Sequence, residues 1–227
     1  MSMQVDRSKA NLLAEAVVIV VSILLAFGLD AIWDQRNDRS AEIRLRTSLV
    51  REFRGNGQIL EETMAGVRRG QSRIEAFAAM TPEWAATLSE DTAWVYLDDL
   101  GRPYTAELSS GVTTSAVASG TLALIQDEVL RESIAGWLGR TDDIRERAGV
   151  MVAQEAIVYG AVDRVASTLD LGLLSPSNAG TLLQAVRSDG EAMARVARKH
   201  VHSGFYLEEL NVLLARLDST LVLLENP

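Results

Sequence analysis

The feature that most limits how this chain can fold is the run Ala16–Leu29, AVVIVVSILLAFGL, which carries no charge and has Ser22 as its one polar side chain. Extended to Leu12 and Trp33 it makes about 22 residues, or roughly 33 Å of helix, against a hydrocarbon core of about 30 Å. The extension takes in Glu15 and Asp30. A carboxylate at mid-membrane costs about 2.5–3.5 kcal/mol, and each apolar residue returns about 0.3–0.6 kcal/mol. Both acids stand near the ends, within reach of the headgroups, so the balance favours insertion. A cleaved signal peptide needs small residues in an A-x-A-like site after the run, and FGLDAIWDQ follows instead. A buried core helix would show a polar face, and this run has almost none. The expectation is a tail over 1–10, a transmembrane helix over 11–33 and a helix continuing over 34–80 without an intervening proline.

At 100° per residue, Ser8, Asn11, Glu15, Ser22, Ala26, Asp30 and Asn37 fall along one side of this helix. Ser22 and Ala26 form a small-xxx-small pair of the kind that lets membrane helices approach closely. Glu15, Ser22, Ala26 and Asp30 are therefore the candidate anchor interface, facing a second copy or a different membrane protein. The alternative is that the two acids only mark the lipid–water boundaries. Arg7 and Lys9 precede the span; Arg36, Arg39, Arg44 and Arg46 follow it. Counting places the C-terminal side in the cytoplasm, but the rule is weak for a large domain behind a short tail, and orientation stays open.

No second run of membrane length follows, which excludes a sensor domain bracketed by two spans. The rest reads as an all-α, antiparallel bundle with long heptad-patterned helices. Ile43, Val50, Phe53, Leu60, Met64, Val67 and Ile74 recur at spacings built from three and four, with Gly57 and Gln71 weakening the seam. Thr81–Pro82 restarts a helix, and short helices reach Leu100, closed by Gly101 and Pro103. Asp127 caps a helix to Leu138 with Gly139 as its stop, and Thr141 caps the next. Asp170–Asn178 reads as a loop, with Ser175–Pro176 opening another turn. A C-terminal helix over 190–227 carries Met193, Val196, His200, Ser203, Leu207, Leu210, Leu214, Leu217, Leu221 and Leu224. Two long seamed helices pair most simply with each other, with residues 81–189 closing the bundle. Pairing between chains is the competing use of the same seams.

Chemistry is sparse. The chain has no cysteine and only two histidines, which excludes thiolate sites. A net charge of −9 argues against nucleic acid. His200 and His202 are two apart on a helix and point away from each other, so they cannot grip one metal ion. Ser109–Ser110–Gly111 and Ser119–Gly120 lack the G-x-S-x-G context. Gly55–Asn56–Gly57 opens like a dinucleotide fingerprint but has Leu60 where the third glycine belongs. Asp98–Asp99 and Asp142–Asp143 are acids at helix ends. The expectation is therefore no catalytic residue, no metal and no cofactor. The Ser/Thr/Gly-rich stretch Tyr104–Gly120 is the irregular part, where Tyr104, Ser110 and Thr114 are candidates to line a small-ligand pocket.

Two stretches, Glu15–Asp38 (EAVVIVVSILLAFGLDAIWDQRND) and Ser109–Leu138 (SSGVTTSAVASGTLALIQDEVLRESIAGWL), together resemble a bacterial family of single-pass membrane proteins known as a domain of unknown function. The resemblance covers about a quarter of the chain and departs where the family has asparagines after the anchor; here Asp30, Ala31 and Asp34 stand. It implies a membrane location and a bacterial source, read here as the inner membrane with lipid around the span, and carries no known activity, ligand or catalytic residue. Two functions fit: an interaction or assembly protein, and a single-pass sensor binding a small ligand in its bundle.

Overall fold

A computed structural model describes residues 3–85, 87–169 and 178–226. It is all α, with no strand among the described residues. The order is α1 (Met3–Ala79), α2 (Pro82–Ala85), α3 (Glu90–Gly101), α4 (Gly111–Ala118), a 3-10 turn (Thr121–Leu124), α5 (Glu128–Thr168), α6 (Ala179–Ser188) and α7 (Gly190–Glu225).

The apolar run and the heptad segment are one helix, α1, because no proline or capping signal interrupts them. Residues 17–40 are exposed throughout, and the apolar window, of mean hydropathy 2.2, has none of its surface buried against the rest of the chain. Burial begins at Glu42. The exposed, charged stretch 34–40 therefore holds the bundle about 10 Å beyond the end of the apolar run.

Helix α7 packs antiparallel to α1. Arg54 pairs with Glu225 at 2.9 Å, Arg68 donates to Asn211 at 3.4 Å, and Glu75 lies 3.6 Å from His200. Gly57 sits under Leu217, where a Cβ would be only 3.5 Å from the leucine methyl, so a small residue permits the close approach. Arg46 reaches the carbonyls of Leu223 and Leu224 and closes the last turn of α7. Helix α5 runs beside α7, antiparallel, joined by the bidentate pair Arg147–Glu209.

The interior falls into two apolar clusters. One, nearer the apolar run, joins Phe53, Leu60, Ile134, Trp137, Met151, Tyr206 and Leu210. The other, farther away, joins Phe77, Leu97, Leu100, Val158, Leu182, Leu183 and Val196.

Three expectations need correction. The break at Gly139–Thr141 does not occur: α5 is continuous from Glu128 to Thr168. One glycine costs a helix about 1 kcal/mol. That is outweighed by Trp137 and Ile144 packing into the same core, while the Thr141 hydroxyl donates back to Leu138 O instead of capping. Ile43 is exposed, and Leu49 takes the buried position. In α7 the rows Val196, Ser203, Leu210, Leu217 and Leu224 are buried as expected. The second buried row, however, is Ala192, Lys199, Tyr206, Leu213 and Thr220, whereas His200, Leu207, Leu214 and Leu221 are only partly covered. Because α7 lies between α1 and α5, it needs a broad buried face rather than a narrow seam. The loop from Asp170 and the turn at Ser175–Pro176 lie outside the described residues; Asn178 is the N-cap of α6.

Candidate functional site

Glu15, Ser22, Ala26 and Asp30 all lie on the exposed part of α1, as do the apolar residues around them. The side chains of Ser8 and Asn11 lie outside the described residues. The Ser22 hydroxyl donates to Val18 O at 2.8 Å, so its polarity is met within its own helix. What it offers a neighbour is small size. By helical phase, this stripe stands roughly 140° round the axis from the face that α1 buries in the bundle, so a helix laid along it would clear the chain's own α7.

The Tyr104–Gly120 stretch is held down by side chains of α1. Asn56 bonds Ser109 both ways, its Nδ2 donating to Ser109 O at 2.7 Å and its Oδ1 accepting from Ser109 N at 2.8 Å. One turn earlier, the Glu52 carboxylate accepts from Val112 N (2.6 Å), Thr113 N (3.1 Å) and Thr113 Oγ1 (2.7 Å), capping the start of α4. Tyr104 lies flat over Gly66 and Gly70; a Cβ on Gly66 would fall 2.3 Å from its ring. Its hydroxyl donates to Asp99 at 3.0 Å. Ser110 is half-buried at the head of α4 and makes no capping bond, and Thr114 is exposed. Tyr104, Ser110 and Thr114 do not converge, and none of them lines the groove along α5 and α7 or the smaller hollow around Thr105–Leu108. Replacing Glu52 by alanine would orphan the amides of Val112 and Thr113, and is expected to cost about 2–3 kcal/mol in urea unfolding.

Between the two apolar clusters lies a polar layer. The Lys199 ammonium, 2% exposed, donates to Asp99 O (3.2 Å), Leu100 O (2.9 Å) and Arg102 O (2.9 Å). It thereby closes the C-terminus of α3, where cations are favoured. Tyr159 donates to Asp98 O at 3.0 Å and packs on Gly101, where a Cβ would meet its ring at 2.3 Å. Arg73 pairs with the buried Asp99 carboxylate at 2.8 Å. Burial pushes the Lys199 ammonium down to about 8, opposed by Asp99, Glu155 and Asp98, and pushes the Tyr159 hydroxyl up to about 12. A lysine of lowered pKa is a nucleophile in many sites. Here its three donors are spent on carbonyls and its side chain is buried, so its geometry is that of a cap. His200 and His202 form no metal cluster, and no group of metal-type ligands occurs among the described residues.

Sequence reasoning missed Glu52 and Lys199 altogether, and it weighed Asn56 and Asp99 without finding the partners they hold. A signal for Lys199 existed: lysine occurs only at Lys9 and Lys199, and Lys199 stands seven residues from Ala192 and from Tyr206.

An open groove of about 900 Å³ runs along α5 and α7, in the half of the bundle nearer the apolar run. Ile144, Val150, Phe205, Val212 and Leu213 give it apolar surface, and Arg140, Asp143, Glu146, Arg147, Glu208, Glu209 and Arg216 edge it.

Fold and site define a class: an all-α bundle carried by one apolar helix long enough to cross a bilayer. The chain matches no protein-family model, no curated protein and no solved structure.

Proposed function

We propose that this chain is an assembly protein, tethered to a bacterial inner membrane by a single span, that acts by holding other proteins and has no catalytic role. The observation that carries this reading is the exposed apolar length of α1, which finds no cover in its own chain and runs unbroken into the bundle. Lipid covers most of it. The resemblance of Glu15–Asp38 and Ser109–Leu138 to a bacterial membrane-protein family belongs to the same reading.

The stripe Glu15, Ser22, Ala26 and Asp30 is the contact within the membrane. In a parallel pair of identical spans, Glu15 and Asp30 would each face their own copies, and like charges there repel. This favours a different membrane protein over a second copy. The second reading, a sensor, would use Tyr104, Ser110 and Thr114, which line neither the α5–α7 groove nor the smaller hollow.

The test uses the chain's lack of cysteine. Single cysteines at 22 and 26, and at 20 and 24 on the opposite face, would carry a photoreactive maleimide in native membranes. Protein adducts are expected from 22 and 26 and lipid adducts from 20 and 24. Equal protein yields from both faces would remove the stripe as an interface.

A further inference from the structure

Helix α7 carries a second apolar row, opposite the one it buries. Val201, Phe205, Val212 and Val222 are 53%, 53%, 52% and 59% exposed. With Glu208 and Ala215 they keep a spacing of three and four residues, or seven where Ser219 intervenes. At 100° per residue this row lies about 180° from Val196, Ser203, Leu210 and Leu217. A heptad row on the solvent side does nothing for the bundle's own core. Its length, Val201 to Val222, matches a partner helix of about six turns.

The groove beside this row is charged unevenly along its length. Arg140 of α5 and Arg216 of α7 stand together at the end nearer the anchor. Burial and the neighbouring Arg216 hold Arg140 below the usual arginine range, against Asp143. Neither arginine takes part in an ion pair among the described residues, whereas Arg147 is fully engaged by Glu209. Glu146 and Glu208, farther from the anchor, are exposed and also make no ion pair among the described residues. The groove is thus positive near the membrane and negative beyond.

Charge also bears on the occupant. Two copies anchored in one membrane would be related by an axis along the membrane normal, so equal heights would face each other. Arg140 and Arg216 would then meet Arg140 and Arg216 of the second copy, and Glu208 would meet Glu208. Like charges placed opposite each other work against such pairing.

We infer that the α5–α7 groove and the outer row of α7 bind an amphipathic helix of a different protein, with apolar residues at three–four spacing and acidic residues at its membrane-proximal end. This rests on the reading of the chain as an assembly protein but uses a surface separate from the anchor stripe. The stripe lies in the apolar run of α1, whereas the groove is lined by α5 and α7, so the two surfaces share no residue.

The test uses the full chain in lipid nanodiscs and two synthetic helical peptides. Each peptide has leucines at three–four spacing and glutamines elsewhere; one ends in three glutamates and the other in three lysines. Fluorescence anisotropy would follow binding at low salt. The glutamate-ended peptide is expected to bind at least tenfold more tightly than the lysine-ended one. Arg140→Glu/Arg216→Glu is expected to reverse that preference, Phe205→Glu to abolish binding of both, and Val129→Glu, on an exposed position off the groove, to leave it unchanged. Equal binding of the two peptides, no binding of either, or indifference to Phe205→Glu would overturn the inference. So would a wild-type dimer in sedimentation that Phe205→Glu splits, since the occupant would then be a second copy. None of these results depends on the cross-linking pattern at 22 and 26, so failure of the groove is distinguishable from failure of the stripe.

Discussion

The double variant Val20→Arg/Leu24→Arg is expected in the supernatant after an alkaline wash of membranes, where the parent chain stays in the pellet. Each arginine near mid-span costs about 2.5–3.5 kcal/mol and forfeits about 0.3–0.6 kcal/mol from the residue it replaces. Together they shift insertion by about 6–8 kcal/mol, more than a 10⁴-fold change. Both positions lie on the side of α1 away from Ser22 and Ala26 and far from the bundle, so far-ultraviolet circular dichroism should be unaltered. Val129→Arg, at a position 64% exposed on the bundle, serves as the control and should pellet with the parent. A double variant that remained in the pellet would mean that the apolar run is not what holds the chain to lipid.

Replacing Lys199 by methionine is expected to lower unfolding stability by about 3 kcal/mol at pH 7. Three carbonyls at the end of α3 would lose their donor, each at about 1–3 kcal/mol. Up to about 3 kcal/mol would be regained, because the buried ammonium no longer has to be stripped of water. The loss of the cap is the larger effect.

The pH dependence follows from the same residue. Its folded pKa, about 8, lies below the ordinary 10.5. Above pH 8 the folded protein has released a proton that the unfolded chain still binds, so stability rises with pH. The gain reaches about 2 kcal/mol by pH 9.5, and the methionine variant should not show it. Above pH 10 the sign turns, because Tyr104, Tyr159 and Tyr206, raised chiefly by burial, remain protonated in the fold while their unfolded counterparts ionise. Urea unfolding at pH 7.5, 8.5 and 9.5 would check both statements. A parallel pH profile for the two proteins would show that the Lys199 amine is not buried as described.

What was legible from residues alone was whatever depends on neighbours along the chain. The unbroken apolar run made the start of α1 an exposed apolar helix of membrane-spanning length, and the period of seven from Val196 to Leu224 made α7 one long helix. Asp127 and Thr81 marked true helix starts, each accepting a bond from the amide three residues on. These signals are local in origin, since hydropathy, helical phase and capping each act within one or two turns.

The tertiary structure decided which of two adjacent rows of α7 is buried, and therefore that Lys199 rather than His200 enters the interior. A heptad pattern fixes a helical face only to within about one residue, and the width of that face depends on how many helices press on it. Likewise, the amide donors that Glu52 and Asn56 hold belong to a segment more than fifty residues away, and only packing brings them together. The outer row of α7 became visible once the inner one had been assigned, because an apolar residue counts as unpartnered only when every neighbouring element is in place.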